Sequence, residues 1–282
     1  MSGYIFILLL ALSATIPKCY AYSSSMENIV TPQEVINNNR TRLVGGDGAV
    51  PLGVAPFVAS LRSLANVHFC GAAILNTRYV VTAAQCTAGR TAANINVVVG
   101  TVQLVPSGVT HRGSAIVMYP HFNAANYVND IALIYTATVI SFTLNIQPIS
   151  LLPSIISGGD VVVYGWGLVR RPGYPEEDVN YLQFLKANVV TNEQCQLEHT
   201  PQYAAIITNR NLCALGVNPN SGTCFGDEGG PLVYVIEDPS GFTPPIYQLA
   251  GISSWQVPCG TGVPDVYIRI APYRLWILSN IQ

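Results

Sequence analysis

Residues able to do chemistry are most concentrated in the stretch Gly222-Thr223-Cys224-Phe225-Gly226-Asp227-Glu228-Gly229-Gly230-Pro231. Glycines around two adjacent acids describe a turn that exposes backbone, because Gly226, Gly229 and Gly230 reach angles that other residues resist. Neighbouring N–H groups in such a turn can converge on a developing negative charge, as in an oxyanion hole. Two further segments place polar residues inside apolar text: Val81-Thr82-Ala83-Ala84-Gln85-Cys86 and Asn129-Asp130-Ile131-Ala132-Leu133. Histidines are the usual bases near neutral pH. His111, His121 and His199 stand in no motif, and His68 lies two residues before Cys70.

The elements that must position these residues are short. Residues 57–62, 69–75, 79–82, 95–99 and 115–117 are β-branched or aromatic segments bounded by Gly, Pro and Asn, and they predict strands. Residues 160–165, 181–190, 211–214, 231–236, 246–255 and 265–270 predict a second set. Strands at this regular spacing, without helical periodicity between them, match Greek-key barrels. The Pro-, Ser- and Gly-rich segment 151–159 is the expected connection between the two lobes. Residues 271–280 predict a closing helix, with Tyr273, Trp276 and Ile277 on one face.

The 282 residues suffice for one domain or two closely packed lobes. Charged residues make up 10% and the formal net charge is −2, a balance that suggests neither nucleic acid nor an acidic membrane surface as partner. Residues 4–12 form an apolar run too short to span a bilayer, followed by Cys19-Tyr20-Ala21, so residues 1–21 are expected to be a signal peptide. Residues 22–42 are polar and lack the apolar surface to fold alone, as expected of a propeptide. This segment holds the N-glycosylation triplet Asn39-Arg40-Thr41. Removal of residues 1–21 takes Cys19 away and leaves six cysteines, an even number that reads as a disulfide set in a secreted chain. Spacing alone leaves fifteen pairings open.

The 222–231 stretch resembles the nucleophile loop of chymotrypsin-like (trypsin-family) serine proteases, usually written Gly-Asp-Ser-Gly-Gly-Pro, with Glu228 at the serine. The 81–86 segment is similar to that family's Thr-Ala-Ala-His-Cys, with Gln85 at the histidine. Asp130 matches its third triad member. Tyr164-Gly165-Trp166-Gly167 resembles a further signature, Leu43-Val44-Gly45-Gly46 after Arg42 resembles the activation junction, and the likeness extends across 43–282. The resemblance implies an all-β fold of two packed six-stranded Greek-key barrels with a C-terminal helix. It also implies the pairs Cys70–Cys86, Cys195–Cys213 and Cys224–Cys259. By the same likeness, an activating protease cutting after Arg42 would free an ammonium on Leu43 that pairs with Asp227, which His68 holds beforehand. With no cysteine in 22–42, the propeptide would then leave.

The family's substrate lies along Ser254-Trp255-Gln256, where Gln256 replaces a glycine and is expected to narrow the pocket mouth. Gly222 stands at the pocket base where trypsin-like members have aspartate, and Asp265 supplies a carboxylate from another wall. Calcium binders of the family use the loop after 95–99, but residues 100–114 contain no Asp or Glu, so no metal or other cofactor is expected. A neutral amide at 85 cannot accept the nucleophile's proton. Asp130 then needs another donor, for which the Gln85 amide is a candidate. A carboxylate at 228 sets negative charge beside the N–H groups of Gly226 and Glu228 that would serve an oxyanion. Glu228 with Asp130 is a carboxylate pair of the glycosidase type, but the resembled fold offers no sugar cleft. The expectation is therefore a secreted, non-catalytic homologue that binds an extracellular protein or peptide as regulator, cofactor or decoy. The alternatives are an active endopeptidase with an atypical site and an inert protein kept for its fold.

Overall fold

The computed structural model describes residues 47–106, 108–167, 180–218, 221–237, 240, 245–257 and 259–282. The predicted signal peptide and propeptide, with Asn39, Arg42 and Leu43, lie outside them. After β1 (Gly48–Ala49), the first lobe contains β2 (Val58–Arg62), β3 (His68–Ile74), β4 (Tyr79–Thr82), β5 (Asn96–Val99), β6 (Val109–Met118) and β7 (Ala132–Thr136). These six form a closed barrel in the order β2-β3-β4-β7-β6-β5. Every residue of β2 is buried, because one face fills the barrel and the other is covered from outside. In contrast, β6 alternates exposed and buried residues through its first half, as expected of a strand with one wet face.

The second lobe is built from β8 (Ser150–Leu151), β9 (Asp160–Gly165), β10 (Gln183–Val190), β11 (Asn211–Gly216), β12 (Pro231–Ile236), β13 (Ile246–Trp255) and β14 (Asp265–Arg269). Strands β9, β10, β11, β14, β13 and β12 close on themselves through the β12–β9 pairing, while β1 adds to β10 and β8 runs parallel beside β13. Both lobes are thus six-stranded antiparallel barrels. The predicted closing helix is a tight turn, Ala271–Tyr273, running into α3 (Arg274–Asn280), with Tyr273 and Ile277 fully buried. Two further helices, α1 (Asn192–Glu198) and α2 (Pro201–Ala204), precede it in the chain.

Apart from the two-residue strands β1 and β8, which it does not announce, the sequence pattern differs from the structure chiefly at three places. β7 was legible only as the apolar text after Asp130, although it is the strand that closes the first barrel between β4 and β6. β6 begins earlier than predicted, because Val109-Thr110-His111-Arg112 is too polar to read as a strand until β5 supplies its ladder. The two short helices lack apolar periodicity. α1 is instead fixed by the Thr191 hydroxyl, which accepts from the Gln194 N–H at 3.1 Å, and by Cys195.

The lobes share one continuous apolar core. Phe57 of the first meets the Tyr164 ring of the second edge-on, with centroids 5.7 Å apart. Three disulfides staple this frame: Cys70–Cys86, Cys195–Cys213 and Cys224–Cys259. The first fixes the turn that carries Gln85 to β3, and the third ties the 222–231 loop to the segment before β14. Among the described residues, no helix is long and apolar enough to cross a membrane.

Candidate active-site cleft

Gln85 sits in a single tight turn, Ala84–Cys86, that follows β4. Its backbone N–H donates to Asp130 Oδ1 at 2.8 Å, and its side-chain Nε2 donates to Asp130 Oδ2 at 2.7 Å and to the Ser254 carbonyl at 2.6 Å. The Ser254 hydroxyl adds a 2.6 Å bond to the same Oδ2. Asp130 is fully buried, and burial raises its pKa to about 6 against the pull of these donors. Both hydrogens of the Gln85 amide are committed, so Gln85 serves as a brace between Asp130 and β13. It carries no basic nitrogen.

The 222–231 loop is held from several sides. The Gly71 N–H of β3 donates to the Glu228 carbonyl at 2.8 Å, and the Gly229 N–H donates to the Ser253 carbonyl at 2.8 Å. Gly226 and Gly229 both have positive φ, the conformation for which glycine is needed. Glu228 turns its carboxylate back into the loop. Oε2 accepts from the Gly226 N–H at 2.7 Å and Oε1 from Gln256 Nε2 at 3.1 Å. The Gly226 N–H, one of the donors suited to an oxyanion, is therefore occupied by a carboxylate of the same chain.

Asp227 points the other way, into the protein. Oδ1 accepts from the Gly167 N–H at 2.7 Å and Oδ2 from the Cys224 N–H at 2.9 Å. A Cβ added at Gly165 or Gly167 would fall 1.9 or 2.3 Å from an Asp227 oxygen, which explains the glycines of the Tyr164-Gly165-Trp166-Gly167 text. Burial raises the Asp227 pKa to about 7, and the charge of Glu228 pushes it in the same direction.

His68 differs from its expected role as holder of the Asp227 carboxylate. That carboxylate is engaged by the amides of Gly167 and Cys224, and His68 Nε2 instead bonds the Gly226 carbonyl at 2.9 Å. Because a carbonyl only accepts, Nε2 carries the hydrogen. Nδ1 then accepts from the Ser60 hydroxyl at 2.8 Å, which itself accepts from Arg62 Nε at 2.8 Å. Burial lowers the His68 pKa to about 4, with the Arg62 charge acting in the same sense, so this histidine is neutral and structural. The residues Ser60 and Arg62 gave no sign in the sequence of belonging to the site, since their link to Gly226 runs through a distant fold contact.

The expected pocket residues converge. Asp265, at the start of β14, accepts from the Thr223 N–H through Oδ2 at 2.6 Å and lies against Gly222, where a Cβ would approach that oxygen to 3.1 Å. Burial raises its pKa to about 7, with the charge of Asp227 adding to the effect. Trp255 stacks on Tyr203 at 5.7 Å, and Gln256 stands at the mouth, where its amide reaches Glu228. The buried Thr223 hydroxyl lies beside the Asp265 carboxylate and the Tyr267 hydroxyl, and Thr223 Oγ1, Tyr267 OH and Gln256 Oε1 make no well-formed hydrogen bond among the described residues. No cluster of metal-ligating side chains is present among the described residues.

Comparison with known proteins agrees with this geometry. The Trypsin family model matches residues 43–277. Chymotrypsin-2 of Vespa crabro is 33% identical over 240 residues, covering 84% of this chain and 99% of the relative. Trypsin II-P29 of Gallus gallus is 31% identical over 242 residues, covering 85% and 89%. Trypsin alpha of Drosophila melanogaster is 31% identical over 251 residues, covering 88% and 91%. With two six-stranded barrels, the buried Asp227 and this match over most of its length, the chain belongs to the trypsin family of chymotrypsin-like serine proteases.

Proposed function

We propose that this chain is a secreted, non-catalytic member of its family that acts by binding a protein or peptide in the extracellular space. The observation that carries the reading is the Glu228 carboxylate on the Gly226 N–H, at the position where the family places its nucleophile. A carboxylate there is no substitute for an activated alkoxide, and it removes a donor needed to stabilise an oxyanion. Gln85, with both amide hydrogens committed to Asp130 and Ser254, can neither take up a proton nor return one. Secretion rests on the apolar run at residues 4–12 and is supported by the three disulfides.

The cleft retains a means of choosing its ligand. Asp265 sets a buried carboxylate at the pocket base beside the buried hydroxyls of Thr223 and Tyr267, an arrangement that suits a basic side chain bringing several N–H donors. In this reading, cleavage after Arg42 supplies Asp227 with the Leu43 ammonium and completes the loop.

The test is turnover of a peptide library by the chain cleaved after Arg42, beside a Gln85→His, Glu228→Ser double variant. The expected result is silence from the natural chain and hydrolysis after basic residues by the variant. Loss of triad members in this mechanism costs about six orders of magnitude in turnover. Hydrolysis by the natural chain that Glu228→Ala abolishes would establish instead the atypical endopeptidase.

A further inference from the structure

A cavity in the second lobe shares no lining residue with the cleft. At the end of β14, four residues beyond Asp265, Arg269 is only 6% exposed. Its Nε donates to the Asn211 carbonyl at 3.0 Å, Nη1 to the Ile156 carbonyl at 2.5 Å and Nη2 to Asn192 Oδ1 at 3.2 Å. All three acceptors are neutral. A guanidinium has five N–H donors in a planar fork, so two remain uncommitted. A buried cation is normally paired with an acid, and among the described residues no acid pairs with Arg269.

The guanidinium forms part of the wall of a cavity of about 340 Å³, lined also by Ser157, Asn192, Gln196 and Thr208 and by the apolar Ile155 and Ile207. That volume is at the lower end of the range for small-ligand sites, and a few convergent polar groups among apolar side chains are their usual composition. Asn192 cannot swing away to relieve the charge, because its Nδ2 is bonded to the Thr208 carbonyl while its Oδ1 receives Arg269. One carboxylate, Glu193, stands in the lining without pairing with Arg269, and its charge disfavours ligands carrying several negative charges.

We infer that this cavity binds a monocarboxylate with a short apolar body, its carboxylate on the free N–H groups of Arg269 and its body against Ile155 and Ile207. The carboxylate can belong to a free organic acid or to the C-terminus of a peptide chain. Both present the planar two-oxygen group that an arginine fork recognises.

The experiment is calorimetric titration and thermal unfolding of the purified full chain with isovalerate, against sodium chloride at equal ionic strength. In parallel it uses a short peptide ending in valine, as the free acid and as the amide. Saturable binding of isovalerate and a rise in unfolding temperature are expected. Binding of the peptide acid but not of its amide would assign the site to chain ends, and binding of isovalerate alone would assign it to free acids. Ser157→Trp fills the mouth from an exposed position without touching the bonds of Arg269, and should weaken binding roughly tenfold or more. Arg269→Gln should do the same. Should that variant fail to fold, the Ser157→Trp comparison decides. The inference is overturned if neither carboxylate binds beyond the chloride control, or if Ser157→Trp leaves binding unchanged.

Discussion

The two walls of the cleft treat charge in opposite ways. On the first-lobe wall, Asp130 is buried but answered, receiving two donors from Gln85 and one from Ser254. On the second-lobe wall, Asp227 is buried on backbone amides alone, Asp265 on the Thr223 amide with the Thr223 hydroxyl close by, and Glu228 stands beside them. Gln85 thus closes a side-chain hydrogen-bond network around Asp130, whereas the opposite wall concentrates three acids on few donors. A wall of the first kind braces the fold, and one of the second kind is electrostatically suited to a cation.

The largest effect that would break this contrast concerns stability against pH. Burial raises Asp227 and Asp265 to about 7, from an ordinary carboxylate value near 4. At these two positions the folded chain holds more protons than the unfolded chain between about pH 4 and pH 7, so their contribution to stability falls as pH rises through that window; Asp130, raised to about 6, adds to the fall, and His68, lowered to about 4, opposes it. The loss is on the order of several kcal/mol for the two groups together. Cleavage after Arg42 should flatten the curve if the Leu43 ammonium reaches Asp227. Denaturant unfolding of cleaved and uncleaved chains from pH 4.5 to pH 8 checks both points, and an uncleaved chain that gains stability with pH would contradict the unanswered-acid description.

A smaller effect tests the finished wall. Gln85→Ala removes the side-chain bonds to Asp130 and Ser254 and should cost about 1–3 kcal/mol. Gln85→His should be nearly neutral, because an imidazole N–H can replace one donor to Asp130. Equal stability of Gln85→Ala and the natural chain would show that Asp130 is satisfied without its brace.

The smallest effect sharpens the comparison from the ligand side. An arginine-containing peptide should bind more tightly as pH rises through about 7, where Asp265 ionises. Asp265→Asn should weaken it roughly tenfold and remove the pH dependence. Titrations of the natural chain and the variant at pH 6 and pH 8 decide this, and affinity indifferent to Asp265→Asn would move the ligand elsewhere.

Much of this was legible in the sequence, for reasons that can be stated. Strands such as β9 and β13 are β-branched and apolar because they are buried, and the 222–231 loop needs its glycines in consecutive text. The residues at 85, 130 and 228 were identified because each lies inside a distinctive local string. What remained hidden depends on pairs far apart in the chain. Arg62, Ser60 and His68 reach Gly226 across the fold, and no local pattern announces that His68 will hold a carbonyl instead of a carboxylate. Likewise β7 closes the first barrel through neighbours on both sides, and Gly165 is required by an Asp227 side chain that follows it by two elements of the second barrel's path.

One contact limits how the molecule can move. A Cβ at Gly71 would lie 2.6 Å from the Cα of Gly230, and one at Gly229 would lie 2.5 Å from the Gly71 carbonyl oxygen, so the two lobes meet there backbone against backbone. At these glycines the seam leaves no room for a side chain between the strands and little slack to take up. A seam this close resists hinge motion, so a ligand of the proposed kind would meet a slot of nearly fixed width and would have to adapt its own shape to fit.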